Sequence, residues 1–294
     1  MKLTGIFASI PTPFDHRGDL YTTKIQQNVG RWNRTSLSGY LVCGGAGEGA
    51  LLTLDEKVRL WEQVAAAAKP DAVLLAAAAA ESVRETVQLC DRAAEIGYAA
   101  VVLTPPGCVA AADSRSETHR VYYQSVADSI RLPVIVGTGA DGADTCLLPE
   151  TLRLLSQHPN IIAVCRGSGD AGGHGGPAES EYPELQILAV GACALVPSLE
   201  AGACGAILDF ASAAPFLCLS AAEAVRTRQH AAAEELQDLI TPAARALATR
   251  YGVAGLKFAL DLQGYYGGSP RLPGLSINAA AKKHVEDLFR EITG

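Results

Sequence analysis

The sequence predicts an α/β fold, a (β/α)8 TIM barrel carrying a C-terminal helical extension, and three observations lead there. Short β-branched runs alternate with longer amphipathic segments, the pattern of repeated βα units around a parallel sheet. Eight such runs can be drawn. The chain has 294 residues, 49% of them hydrophobic, enough for one large core and close to the roughly 250 residues of a single barrel of this kind. Abundant Ala, Gly, Leu and Val with only 6% aromatics suit buried parallel strands and closely packed helices better than a sandwich.

In order, the strands are Gly5 to Ile10, Tyr40 to Cys43, Val73 to Ala77, Ala100 to Leu103, Val134 to Val136, Ile161 to Cys165, Gln186 to Val190 and Ala206 to Leu208. Helix starts between them are readable. Thr53-Leu54-Asp55-Glu56 and Ser82-Val83-Arg84-Glu85 both fit the capping box, in which hydroxyl and carboxylate each satisfy one of the first free amides. Where a sixth helix belongs, Gly167 to Glu184 reads as a loop, because it is rich in Gly and has little helical periodicity. After the eighth strand, helical segments at Ala214 to Arg226, Ala231 to Arg250 and Asn278 to Ile292 outrun a minimal barrel. The expected division is a barrel over 1–225 and a helical extension over 226–294, packed on it.

Composition narrows the function. A net charge of −7, spread along the chain without a basic stripe, argues against nucleic acid as a partner. The longest apolar stretches, such as Ala72 to Ala80, are far short of the roughly 20 residues that span a bilayer, and no signal-peptide pattern opens the chain. No membrane partner and a cytoplasmic location are expected. The eight cysteines form no C-x-x-C pair and no Cys/His cluster at zinc spacing, so they read as small buried residues in a reducing compartment. Asp141 and Asp144 lack the further ligands of a cation site and read as a turn. No Gly-rich string has the context of a Rossmann unit or a P-loop, so neither metal nor cofactor is expected.

Four segments occur in a telling order: Pro11-Thr12-Pro13-Phe14; Gly44-Gly45-Ala46-Gly47-Glu48; His158-Pro159-Asn160-Ile161 with Gly169-Asp170; and Gly252-Val253-Ala254-Gly255-Leu256-Lys257 followed by Gly264-Tyr265-Tyr266-Gly267-Gly268. Together they resemble the dihydrodipicolinate synthase and N-acetylneuraminate lyase family of pyruvate-dependent aldolases, and more closely its 4-hydroxy-2-oxoglutarate aldolase branch. The resemblance covers nearly the whole chain. It implies a lysine at the end of the sixth strand that forms an imine with a 2-oxo acid, a tyrosine after the fourth strand, and hydroxyls after the second that relay protons. It also implies a homodimer or homotetramer.

This chain departs from that pattern at each reactive position. The lysine position falls on Cys165, in Cys165-Arg166-Gly167-Ser168-Gly169-Asp170. The tyrosine position falls on Pro106 or Gly107, in Thr104-Pro105-Pro106-Gly107-Cys108, and the two hydroxyl positions fall on Gly45 and Ala46. Imine chemistry needs an amine, because only an amine condenses with a ketone to give a cationic electron sink. Ordinary aldolase activity is therefore expected to be absent.

Candidate replacements can be weighed one by one. Lys257 reads as structural, because a helix beyond the barrel is badly placed to reach the mouth. Cys165 is either a small space-filler or a thiolate activated by Arg166, although neighbours on a strand point to opposite faces. His174 reads as a solvated loop residue, and Glu48 as a support for its loop. Asp209, directly after the eighth strand, stands where barrel enzymes place functional groups, or serves as a turn cap.

The losses share a direction. Long or polar side chains are exchanged for short ones at Cys165, Gly107, Gly45 and Ala46, and the third strand ends in Ala77 to Ala80. A wider, more apolar mouth follows, suited to an apolar small molecule with a carbonyl. The leading reading is an enzyme, a lyase, cyclase or isomerase without a covalent intermediate, with Cys165, Arg166 and Asp209 as catalytic candidates. Its substrate-binding candidates are Gly45, Ala46, Thr104, Gly107, Cys108, Thr138, Ser168 and Val190. A non-catalytic ligand-binding or partner subunit is the second reading, and an aldolase with a relocated lysine the third.

Overall fold

A computed structural model describes residues 1–107, 115–137, 147, 149–167 and 182–293. Eight parallel strands, β1 (Gly5–Ser9), β2 (Gly39–Val42), β3 (Val73–Ala77), β4 (Ala100–Leu103), β5 (Val134–Gly137), β6 (Ile161–Gly167), β7 (Gln186–Val190) and β8 (Gly205–Leu208), close into a barrel. They pair in chain order, and β8 pairs back onto β1. Each expected strand is present, displaced by at most two residues at either end.

Both faces of these strands are covered, which is why they read as continuous apolar runs rather than as alternating ones. Phe7, Leu41, Leu75, Val102, Ile135 and Leu188 fill the interior, while their neighbours pack outward against the helices. One irregularity matters for the site. Between β5 and β6 the register runs from Val134 opposite Ile161 to Ile135 opposite Ala163, so Ile162 is an extra residue. Since side chains alternate, that single insertion sets the parity of the rest of β6 and leaves Ala163 and Cys165 inside the barrel.

The helices α1 (Thr22–Trp32), α2 (Leu54–Ala67), α3 (Val83–Ile96), α4 (Arg115–Ser129), α5 (Pro149–Leu155) and α6 (Leu195–Glu200) lie between strands, and α7 (Pro215–Arg226) follows β8. Thr53 starts α2 with the full capping box. At α3 only half of the expected box forms: Ser82 Oγ accepts from the Glu85 N–H at 3.2 Å. Most of the expected loop from Gly167 to Glu184 lies outside the described residues.

Beyond α7 come α8 (His230–Arg245), a π-helical segment (Ala246–Tyr251), α9 (Gly252–Leu262) and α10 (Ala279–Thr293). The expected single helix from Ala231 to Arg250 thus ends in a wider turn, and Gly252 at φ 56° lets the chain restart in a new direction. This break carries α9 back over the C-terminal ends of the strands. No helix among the described residues is long and apolar enough to cross a membrane.

Candidate functional site

The C-terminal ends of the strands surround a cavity of about 600 Å³. Its floor comes from inward-facing strand residues, Ser9, Cys165, Val190 and Ile207 among them, and Asp209 follows directly from β8. Gly45, Ala46 and Thr104 form one side, and Leu247, Val253 and Leu256 from the C-terminal helices form part of the cover. Apart from Ser9, Thr104, Cys165, Cys193 and Asp209, the walls are glycine or apolar side chains. Such a surface favours an apolar ligand body, with few polar groups to fix its orientation.

Asp209 precedes a short turn, but its side chain caps nothing there. The Ser9 hydroxyl nearby favours its ionised form. Open to the cavity yet ringed by protein, the carboxyl loses solvation, and this raises its pKa despite that hydroxyl. Cys165 is 5% exposed, and burial pushes its thiol up to about 12, far from thiolate character at neutral pH.

Of the expected site residues, Gly45, Ala46, Thr104, Cys165, Val190 and Asp209 come together around this cavity. Arg166 and Gly107 are not among its lining residues. For Arg166 the reason is strand alternation, which turns it away from the face on which Cys165 stands. Cys108, Thr138 and Ser168, like His174, Asp141 and Asp144, lie outside the described residues. Ser9 was missed, although its place at the end of an inward-facing strand position is the signal that would have found it. The cover residues from the C-terminal helices were missed because their reach depends on the π-helical turn, which leaves no mark in hydrophobic periodicity.

The loop after β2 is held in an unusual conformation. Cys43 (φ 63°) and Glu48 (φ 55°) are both left-handed without being glycine, a strain that persists only where surrounding contacts over-determine it. Those contacts come largely from the Pro11–Phe14 segment and from the chain around Lys257 and Arg271. Thr12 Oγ1 donates to the Gly47 carbonyl at 2.5 Å, and Gly49 packs so closely on the Cys43 carbonyl that a Cβ there would meet it at 1.9 Å. Lys257 Nζ lies 2.5 Å from Glu48 Oε1 and donates to the Ser269 carbonyl at 3.0 Å. Glu48 Oε2 accepts from the Arg271 backbone N–H at 2.8 Å. Phe14 supplies a ring whose centroid is 4.5 Å from both the Lys257 ammonium and the Arg271 guanidinium.

This geometry corrects one step of reasoning about Lys257. Its helix does reach the mouth, since Gly252, Val253 and Leu256 line the cavity. Lys257 is nevertheless fully buried on the other side of α9, engaged with Glu48. The third segment is structural too: Asn160 Nδ2 donates to the carbonyls of Ala127, Ile130 and Leu132 at 3.1 to 3.2 Å, fastening the entry of β6 to the end of α4.

A relocated amine is constrained by the sequence itself. The seven lysines are Lys2, Lys24, Lys57, Lys69, Lys257, Lys282 and Lys283, so none occurs between positions 69 and 257, the stretch that supplies β3 to β8 and every loop between them. Only Lys57 borders the mouth, in a second cavity beside the first. Among the described residues, no three His, Cys, Asp or Glu side chains gather as they would around a metal ion.

Comparison with known proteins agrees with the architecture. A family model described as the dihydrodipicolinate synthetase family matches residues 2–292. A 4-hydroxy-tetrahydrodipicolinate synthase of Natronomonas pharaonis is 26% identical over 290 residues, covering 98% of this chain and 96% of its own. An L-threo-3-deoxy-hexylosonate aldolase of Hypocrea jecorina is 27% identical over 303 residues, covering 98% and 95%. A solved dihydrodipicolinate synthase from Bacillus anthracis superposes with a TM-score of 0.90 at 21% identity, over 99% of this chain and 98% of that one.

Proposed function

The chain belongs to the dihydrodipicolinate synthetase family, an aldolase-like barrel family, and we propose that it works without the imine chemistry of a lysine. In this reading it is a cofactor-independent lyase, cyclase or isomerase acting at the mouth cavity on a bulkier, more apolar carbonyl metabolite. The observation that carries the reading is the composition of that cavity: Cys165 on its floor, no lysine among its lining residues, and one carboxylate, Asp209, within mostly apolar walls.

Asp209 is the acid–base group of this mechanism. Its raised pKa makes it a better base than an ordinary carboxylate and keeps it able to return the proton. The Ser9 hydroxyl favours its ionised form. Asp209 takes a proton from the carbon beside the substrate carbonyl, and the electron pair moves onto the carbonyl oxygen as an enolate. Thr104, on the opposite side of the cavity, is the donor available to that oxygen. Return of the proton to a different carbon gives isomerisation; loss of a β-substituent gives a lyase reaction; attack of the enolate within the same molecule gives cyclisation. Cys165 contributes space and an apolar surface, and Arg166 has no role in the scheme. The protein acts as a homodimer or homotetramer.

The test is incubation with apolar ketones and keto acids, followed by NMR. Conversion that Asp209→Asn abolishes and Cys165→Ala preserves is the expected result. Conversion unaffected by Asp209→Asn would overturn the mechanism, and tight binding without any conversion would make the protein a ligand-binding subunit. Folding can be checked independently. A raised carboxyl pKa means that ionisation is resisted by the folded state, so wild-type stability falls as pH rises from 3.8 through the folded value. The Asp209→Asn variant should lack that fall.

A further inference from the structure

We infer that the outer face of α1 carries a second binding site, one that takes an oligophosphate chain. The site lies outside the barrel and does not depend on the chemistry proposed for the mouth.

A cavity of about 460 Å³ opens between α1 and the loop that follows α9. From α1 it is lined by Lys24, Gln27 and Arg31, which at spacings of three and four residues share one helix face, and by Arg34 just past the helix end. The loop contributes Tyr265 and Tyr266, from the Gly264 to Gly268 motif, which takes no part in lining the mouth. Among the described residues no carboxylate lines this cavity, and α1 contains none. The acidic residue that begins the turn out of α9, Asp261, is engaged by the Gly267 N–H at 2.8 Å. Three cations on one cavity reverse the local sign in a chain whose net charge is −7. Exposed arginines elsewhere lie against carboxylates of their own helix, as Arg92 does with Glu95, Arg226 with Glu223 and Arg290 with Glu286. Here the anion has to come from a ligand.

The cations are also held ready. Asn28, 2% exposed, donates from Nδ2 to the Tyr266 carbonyl and accepts the Tyr266 N–H at Oδ1, both at 2.8 Å, which fixes the loop to α1. On that loop the Arg31 guanidinium rests 5.6 Å from the Tyr265 ring centroid, and the Lys24 ammonium 5.5 Å from that of Tyr266. Gly264, at φ 79°, makes room for this: a Cβ there would come within 2.8 Å of Arg31 Nη1. Seating long side chains on rings in advance lowers the ordering cost of binding. Spacing then selects the ligand. Lys24 and Arg31 are set about 10 Å apart along the helix axis by a rise of about 1.5 Å per residue, so one phosphate serves one end while a chain of phosphates serves both.

Inorganic tripolyphosphate is the probe, titrated calorimetrically into the wild-type protein at about 0.15 M salt, where weak surface attraction is screened. One equivalent should bind, at least about tenfold more tightly than orthophosphate, the size of one further charge-assisted contact. Arg31→Gln and Arg34→Gln should each weaken tripolyphosphate about tenfold, while Lys283→Gln, an exposed cation on α10, leaves it unchanged. Thermal unfolding of each variant separates a lost contact from a lost fold, and the exposed Arg34 keeps the test open should Arg31→Gln misfold. ATP distinguishes the sources: tighter binding than tripolyphosphate assigns the site to a nucleotide, equal or weaker binding to a free oligophosphate. No binding of tripolyphosphate, affinity equal to that of orthophosphate, or affinity unchanged in the folded variants would overturn the site. Tighter binding of a hexaglutamate peptide would overturn the choice of ligand and make this face a docking surface for an acidic segment. None of these outcomes bears on Asp209, so the two proposals fail separately.

Discussion

The loop from Gly44 to Glu48 has two sides that have been treated very differently. Its outer side is densely tied: Glu48 meets Lys257 and the Arg271 backbone, Gly47 accepts from Thr12, and Phe14 packs beneath both cations. Its inner side, Gly45 and Ala46, offers the cavity no polar side chain at all. Contacts that shape the loop are therefore physically separate from groups that would react there. A chain can keep the first set, and with it the fold, while the second set changes completely.

The outer side gives the largest expected effects. Replacing Lys257 by Met leaves the buried Glu48 carboxylate without its counter-charge and should cost about 3–5 kcal/mol in denaturant unfolding. A Lys257→Met, Glu48→Gln double variant should cost less than the two single changes added together. Additive costs would mean that the pair is not the tie that holds the loop.

A smaller effect is expected at Glu56, which receives the Arg271 guanidinium at 2.6 and 2.7 Å. Hydrogen bonding from Arg271 holds its pKa at about 2 rather than 4.5. A depressed carboxyl pKa stabilises the fold above the unfolded value, and this contribution disappears as pH falls from 4.5 to about 2. Because the pair is partly solvated, its pH-dependent share should be about 1 kcal/mol. Unfolding measured across that window should show wild type converging on Glu56→Gln at the acid end. Parallel curves would contradict the assigned pairing.

The inner side predicts a near absence of effect. With its thiol pushed up to about 12, Cys165 should resist iodoacetamide at pH 8 in the folded protein and react fully once unfolded. Rapid folded-state alkylation, mapped by peptide mass spectrometry, would turn it from a space-filling residue into a nucleophile.

Much of this was legible in the sequence, for identifiable reasons. The eight strands were found because both of their faces are buried, so apolar runs bounded by Gly and Pro mark them directly. Asp209 and Thr104 could be placed at the mouth from sequence because the ends of barrel strands form it. Ser9 obeys the same rule and was passed over. What sequence reasoning could not reach was the cover of the cavity, because the path of α9 depends on a π-helical turn and on Gly252. The inward turn of Cys165 depends on Ile162 as an extra residue.

The most direct test of the central claim is borohydride reduction of the folded protein in the presence of pyruvate, read by intact mass. The account predicts an unchanged mass for the wild type, and a pyruvate adduct only when Cys165 is replaced by lysine. A stable adduct on the wild-type chain, mapped to any of its seven lysines, would contradict the account and restore imine chemistry to this barrel.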